Sequence, residues 1–139
     1  MDKKEMIGLL KQAPLFSRVS QEGLQALAQV AEEKAFAAGT KIVSEGKTGV
    51  GFYLIVEGSA EVCHGGEKLA TLKAGDFFGE MALLDEAPRS ADVVASEDTT
   101  CIALRKWDLR GIISRDPEVA LGMLEELARR LRRTEETLS

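Results

Sequence analysis

Between positions 40 and 104 the chain breaks into short apolar runs, each too brief for a helix and most of them closed by glycine. The runs cover residues 40–43, 52–56, 60–63, 68–72, 92–95 and 100–104, with Glu45-Gly46, Glu57-Gly58 and Gly65-Gly66 between the early ones. Runs of this length punctuated by glycine favour strands joined by tight turns over helices. Many short strands at near-regular spacing must hide their edges, and an antiparallel sheet does so by rolling up. The pattern predicts a mainly β chain built on an antiparallel jelly-roll-like β-barrel over about residues 34–105.

Helices flank this region. Met6, Leu9, Leu10 and Ala13 fall at i, i+3, i+4 and i+7, and Pro14 closes that helix. Ser20 is placed to cap a second one, in which Leu24, Leu27, Ala28 and Ala31 repeat the spacing. Past the strands, Trp107, Leu109, Ile112 and Ile113 read as a helix. Asp116-Pro117 then starts a long C-terminal helix over about 116–138, with aspartate as N-cap and proline at the first helical position. Along it Ala120, Leu124, Leu127, Leu131, Thr134 and Leu138 alternate steps of four and three, a heptad seam that needs a partner surface. A parallel two-fold homodimer supplies one; the barrel, with the helix folded back as a lid, supplies the other. On the polar side Glu125 stands four before Arg129 and Glu126 four before Arg130, so the quartet Arg129, Arg130, Arg132 and Arg133 reads as an internally paired, solvated face.

The bulk numbers exclude several classes. A chain of 139 residues, 45% hydrophobic and 29% charged, fits one domain over 1–139 that buries its own core. No apolar run is long enough to span a bilayer, and Met1-Asp2-Lys3-Lys4-Glu5 opens on mixed charge unlike a secretory leader, so a cytoplasmic location is expected. The single histidine, His64, sits beside Gly65-Gly66 at a hairpin tip, and Cys63 and Cys101 form no chelating pair, so no metal site is expected. A net charge of −5 without interleaved basic and aromatic residues makes nucleic acid an unnatural partner for this chain alone. No catalytic constellation is visible either.

The chemistry concentrates between Gly75 and Ala91. Gly79 precedes a short helix-compatible run, so the first N–H groups of that turn can face an anion that approaches closely over the missing side chain. Nine residues after Glu80 comes Arg89, at the end of a segment opened by Pro88. One arginine and a few amides suit a phosphate with a single charge, whereas a nucleoside triphosphate calls for a Lys-Ser/Thr loop and magnesium. Glu80 repels phosphate but accepts well from a sugar hydroxyl slightly further off. The combination asks for a phosphate and a ribose together.

Phe78-Gly79-Glu80-Met81-Ala82-Leu83-Leu84 followed by Pro88-Arg89-Ser90-Ala91 resembles the phosphate-binding cassette of the cyclic nucleotide-binding domain family. Leu9-Leu10 and Pro14-Leu15-Phe16 resemble the family's entry helix; Gly39, Ile42 and Glu45-Gly46 its first turns; and residues 53–58 with Gly75-Asp76 its central strands. The resemblance implies that Arg89 pairs with the cyclic phosphate, that Ser90 hydrogen-bonds it, and that Glu80 accepts from the ribose 2′-hydroxyl. Amides near Gly79, Ala82 and Leu83 would complete the cradle. Val62, Leu69 and Leu72 fall where the family lines its pocket, although plain barrel core is an equal reading of all three.

The run Ala128-Arg129-Arg130-Leu131-Arg132-Arg133-Thr134 is similar to the end of the sensor helix in the bacterial catabolite-activator branch. That similarity implies a Thr134 contact to the adenine of cAMP and an Arg130 that reaches the cassette near Glu80. Glu135 stands where that branch has a serine that reads the base across a dimer, which leaves cGMP as the alternative ligand. The branch continues into a helix-turn-helix domain and this sequence stops at Ser139, so the resemblance covers the sensor half. The function expected is a non-catalytic receptor in which cAMP repositions the C-terminal helix and regulates a partner in trans or its own assembly, with no cofactor beyond the ligand. The alternative is an assembly module of the same fold with a different trigger.

Overall fold

Each glycine turn read from the sequence is a turn in the computed structural model, which describes residues 1–47, 51–79, 89 and 91–138. Gly46, Gly58, Gly65 and Gly66 all adopt positive φ. They lie in the turns after β2, β3 and β4 of the eight strands found among the described residues: β1 (Glu32–Phe36), β2 (Lys41–Val43), β3 (Gly51–Glu57), β4 (Ser59–His64), β5 (Glu67–Lys73), β6 (Phe77–Phe78), β7 (Asp92–Ala95) and β8 (Thr99–Arg105). These form two four-stranded antiparallel sheets of order β1-β8-β3-β6 and β2-β7-β4-β5. The fold is the expected jelly roll, realised as two sheets closed face to face. Ile55 and Cys101 from one sheet meet Ala60 and Val93 from the other, all buried, and Phe36, Ile42, Val43, Tyr53, Val62, Leu72 and Phe78 pack around them.

Two strands lie outside the runs read from the sequence. β1 is Glu-Glu-Lys-Ala-Phe, exposed over its first four residues, with none of the apolar alternation that marks a strand. Its five residues pair in unbroken register with β8, from Glu32 opposite Ala103 to Phe36 opposite Thr99, and Arg105 adds an ion pair to Glu32 at 3.3 Å. Charge on an outer strand discourages edge-to-edge association. β6 is only two residues long, and cross-strand ring stacks hold it: Phe77 on Phe52 and Phe78 on Tyr53, with centroids 5.9 and 5.2 Å apart.

The chain divides into two compact units, Ala31–Trp107 and the pair of segments Met1–Val30 and Asp108–Ser139. In the second, α1 (Lys3–Gln12) is capped by Asp2, whose Oδ1 accepts from Glu5 N at 2.8 Å, and Pro14 opens a short 3-10 turn. Ser20 Oγ accepts from Gly23 N at 3.1 Å and caps α2 (Gln21–Val30), as expected. Two further helices follow the sheets, α3 (Lys106–Arg115) and α4 (Glu118–Leu138). Leu109 and Ile112 of α3 are buried, whereas Trp107 is 57% exposed and Lys106 is buried with its ammonium 5.3 Å from the indole centroid.

α4 buries a different stripe from the heptad seam. Val119, Gly122, Met123 and Glu126, at i, i+3, i+4 and i+7, are its buried positions among the described residues. Gly122 lets the chain come close: a Cβ there would stand 2.9 Å from Arg18 O. Of the seam, Leu124 and Leu131 are 58% and 61% exposed, and Ala120 and Leu127 are half-buried. Among the described residues no helix is long and apolar enough to cross a membrane. Nor does any group of three or more His, Cys, Asp or Glu side chains among them stand ready to hold a metal ion.

Candidate functional site

Arg89 is the centre of the site in the sheet unit, and three segments hold it. Its backbone is tied to the turn after β2, with Gly46 N donating to Arg89 O at 2.9 Å and Arg89 N donating to Lys47 O at 2.8 Å. Its guanidinium is tied to the start of β3, with Nη2 donating to Gly51 O at 2.5 Å. The third segment is Gly79, directly after β6, in the left-handed region at φ +81°. A Cβ on Gly79 would run into Arg89 Nη1 and would lie 2.7 Å from Gly51 O, so only glycine fits beneath the guanidinium.

Among the described residues Arg89 Nε, a buried donor, has no hydrogen-bond partner. Burial pulls the Arg89 pKa below its usual value, and the nearby Tyr53 partly offsets this. Burial likewise raises the Tyr53 pKa, Arg89 opposes the rise and Cys101 adds to it. Tyr53 is fixed between Phe78, stacked on it, and the edge of Phe36, whose centroid is 6.2 Å away. A partly desolvated cation with an unsatisfied donor is unfavourable on its own, and an anion bound there satisfies both deficits.

The other residues singled out from the sequence fall in several places. Phe78 belongs to β6 and is half-buried, packed on the inter-sheet core and stacked on Tyr53. Val62 and Leu72 are half-buried against the inter-sheet core. Leu69 departs from them: it is 59% exposed. The β4–β5 ladder shifts register here, with Val62 opposite Ala70 and Cys63 opposite Lys68, so Leu69 is the extra residue of an irregularity in β5, and only Leu72 packs on the core. Ala91 is half-buried just before β7. Glu80, Met81, Ala82, Leu83 and Ser90 lie outside the described residues.

Arg130 and Thr134 lie on α4, in the helical unit. Thr134 Oγ1 donates to Arg130 O at 3.1 Å, and Arg130 Nε stands 3.5 Å from Glu126 Oε1. The polar side of α4 differs from its sequence reading in one respect. Arg129 pairs with Glu126 rather than Glu125, through Nη2 at 2.6 Å and Nε at 3.0 Å, and Arg18 joins at 3.5 Å. The Glu126 side chain is 1% exposed, so a buried carboxylate held by three arginines lies beneath a face whose Arg129, Arg132 and Arg133 are exposed, as expected. The hydrogen bond from Arg129 keeps the Glu126 carboxyl below its usual pKa against the opposing effect of burial.

Cys63 and Cys101 are free thiols, and burial pushes the Cys101 pKa up to about 11. His64 is exposed at the hairpin tip and also contacts Glu45, Nδ1 to Oε1 at 2.7 Å. Sequence reasoning missed Gly51, whose carbonyl accepts from the Arg89 guanidinium. A glycine opening an apolar run is a general sign of close backbone approach, and Gly51 shows why: a Cβ there would meet Leu104 O.

The family profile described as "Cyclic nucleotide-binding domain" matches residues 33–116. The chain is 38% identical over 128 residues to the cyclic AMP receptor protein of Thermus thermophilus, covering 88% of this chain and 59% of that protein. It is 36% identical over 123 residues to a cAMP-dependent protein kinase regulatory subunit of Hypocrea atroviridis, covering 88% of this chain and 25% of that one. Among solved structures it is similar to the N-terminal domain of a transcriptional regulator from Streptomyces coelicolor A3(2), with a TM-score of 0.86 and 29% identity. That match covers 94% of this chain and 95% of that one.

Proposed function

The chain belongs to the cyclic nucleotide-binding domain family, and from that premise we propose that it is a cytoplasmic, non-catalytic receptor whose preferred ligand is cAMP. The observation that carries this reading is Arg89, whose buried Nε lacks a partner among the described residues while its fork stands over a glycine that keeps the approach open. In this reading Arg89 takes the cyclic phosphate, Ser90 and amides around Gly79, Ala82 and Leu83 complete its hydrogen bonds, and Glu80 accepts from the ribose 2′-hydroxyl. Replacing Arg89 by alanine leaves the ligand's charge unpaired, which costs about 2–5 kcal/mol, or roughly thirtyfold to several thousandfold in affinity. Calorimetric titration with cAMP tests this, and a loss smaller than fivefold rules the assignment out.

The output of binding, in this proposal, is a shift of α4. A ligand moves an equilibrium only by the difference in its affinity for the two states, and an adenine contact from Thr134 on α4 is the source of that difference. Leu124 and Leu131, exposed on α4, support a parallel homodimer through the seam or the docking of a protein partner in trans. The same exposed leucines favour a second reading, an assembly module of this fold that answers to something other than a nucleotide. Thermal melting separates the two: stabilisation by cAMP or cGMP supports the receptor, and an unchanged melting temperature at saturating concentrations of both supports the assembly module.

A further inference from the structure

Asp92 opens β7 three residues after Arg89, and its contacts run to the same turn that holds Arg89. Its Oδ1 accepts from Glu45 N at 2.6 Å and its Oδ2 lies 3.3 Å from Lys41 Nζ. The next two residues of the turn carry both backbone bonds to Arg89, one from Gly46 N and one to Lys47 O. Three consecutive residues, 45, 46 and 47, are thus tied in order to positions 92, 89 and 89. The β2–β7 ladder shifts register between Lys41 and Val43 and ends on the pair Val43–Val93, just before the turn, so residues 45–47 are tied to β7 and Arg89 by these individual bonds.

We infer that Asp92 is a positioning residue for Arg89: its carboxylate fixes residues 44–47 and thereby sets where the guanidinium stands when it meets a phosphate. The inference rests on the assignment of Arg89 to that phosphate. The bond from Glu45 N, helped by Lys41, keeps the Asp92 carboxyl below its usual pKa, so the acceptor is ionised and strong. The contact between His64 and Glu45 also reaches the turn, but their side chains are 63% and 38% exposed, and a pair so open to water contributes little. Asp92 is therefore the dominant tie and His64 the minor one.

Calorimetric titration with cAMP of the wild type, D92A, D92N, H64A, R89K and R89K/D92A tests this. D92A is expected to weaken binding about tenfold, while D92N, which keeps an acceptor for Glu45 N, stays within about threefold of wild type, as does H64A. In the R89K background, where the fork and its bond to Gly51 are gone, D92A is expected to add less than about twofold, because there is no guanidinium left to place. The same loss in both backgrounds overturns the inference, since Asp92 then acts on the fold at large, and so does wild-type affinity in D92A. If D92A does not fold, D92S in both backgrounds gives the same comparison. R89K without any loss sinks the phosphate assignment itself, a result distinct from either outcome for Asp92.

Discussion

Adding one methyl group at Gly79 tests the site without removing any of its charges. In Gly79→Ala the new Cβ sits at φ +81°, where an L-residue is strained by about 1–2 kcal/mol. It also occupies the space of Arg89 Nη1 and stands 2.7 Å from Gly51 O. The carbonyl has little freedom to move, because Gly51 is paired with Arg105 in the β3–β8 ladder. The guanidinium is the movable part, so it swings aside and loses its bond to Gly51 O. A hydrogen bond to a charged group contributes about 1.5–3 kcal/mol, but a half-buried arginine that swings out regains water. The net destabilisation is therefore about 1–3 kcal/mol, and the fold survives. Affinity falls much further in proportion, since the displaced fork no longer meets the phosphate and the loss approaches the roughly thirtyfold or more expected for Arg89→Ala. Combining the two changes should weaken binding little beyond Arg89→Ala alone, because they remove the same interaction. Calorimetric titration with cAMP, alongside thermal melting, measures both quantities. A folded Gly79→Ala protein that binds cAMP within about threefold of wild type refutes the reasoning.

Three further outcomes are expected. Glu126→Gln should destabilise the protein by about 1–2 kcal/mol, less than for a fully buried pair, because Arg18 and Arg129 are close to half exposed and can rehydrate. The folded pKa of Glu126 is depressed, so its ionic contribution is fully present above the unfolded carboxylate value of about 4.3 and is lost as pH falls through the folded one. The difference in melting temperature between wild type and Glu126→Gln should accordingly be constant near neutrality and shrink below about pH 4; a difference that grows on acidification would contradict the pairing. Leu124→Glu with Leu131→Glu should convert a dimer into monomers in sedimentation by placing like charges across the seam, and a wild type that stays monomeric at tens of micromolar with and without cAMP excludes the dimer. Removing the ligand's 2′-hydroxyl should weaken wild-type binding but hardly affect Glu80→Ala, and a mutant that still discriminates between the two ligands gives Glu80 another role.

The parts of this fold that were legible in the sequence are those set by local chemistry. The glycine turns are legible because Gly46, Gly58, Gly65 and Gly66 take backbone angles that other residues avoid, and the capped start of α2 is legible because Ser20 acts three residues along the chain. β1 was not legible, because its charged residues carry no alternation and its conformation is imposed by β8, about seventy residues further on. The buried face of α4 was hidden for a related reason. Leucines at heptad spacing and glutamates four before arginines look alike whether the helix is covered or bare, and nothing local to Glu126 announces that Arg18 approaches it.

The candidate site divides along the same line. Arg89 and Gly79 stand out in the sequence because anion binding needs a fixed cation and an unobstructed approach, and both residue types show what they are by themselves. The groups that aim the cation do not. Gly51 O is 38 positions from Arg89, and Glu45 N is 47 positions from the carboxylate that accepts it. Each is an ordinary backbone group, brought to the site only by β3 and β7 taking their places in different sheets. A half-buried guanidinium held by a single carbonyl has several orientations of similar energy until its backbone is fixed at both N and O, as the 44–47 turn does here. Binding strength at such a site depends on the pairing of strands far apart in the sequence as much as on the arginine itself, which is why a substitution on the first residue of β7 is expected to act on a phosphate that it does not touch.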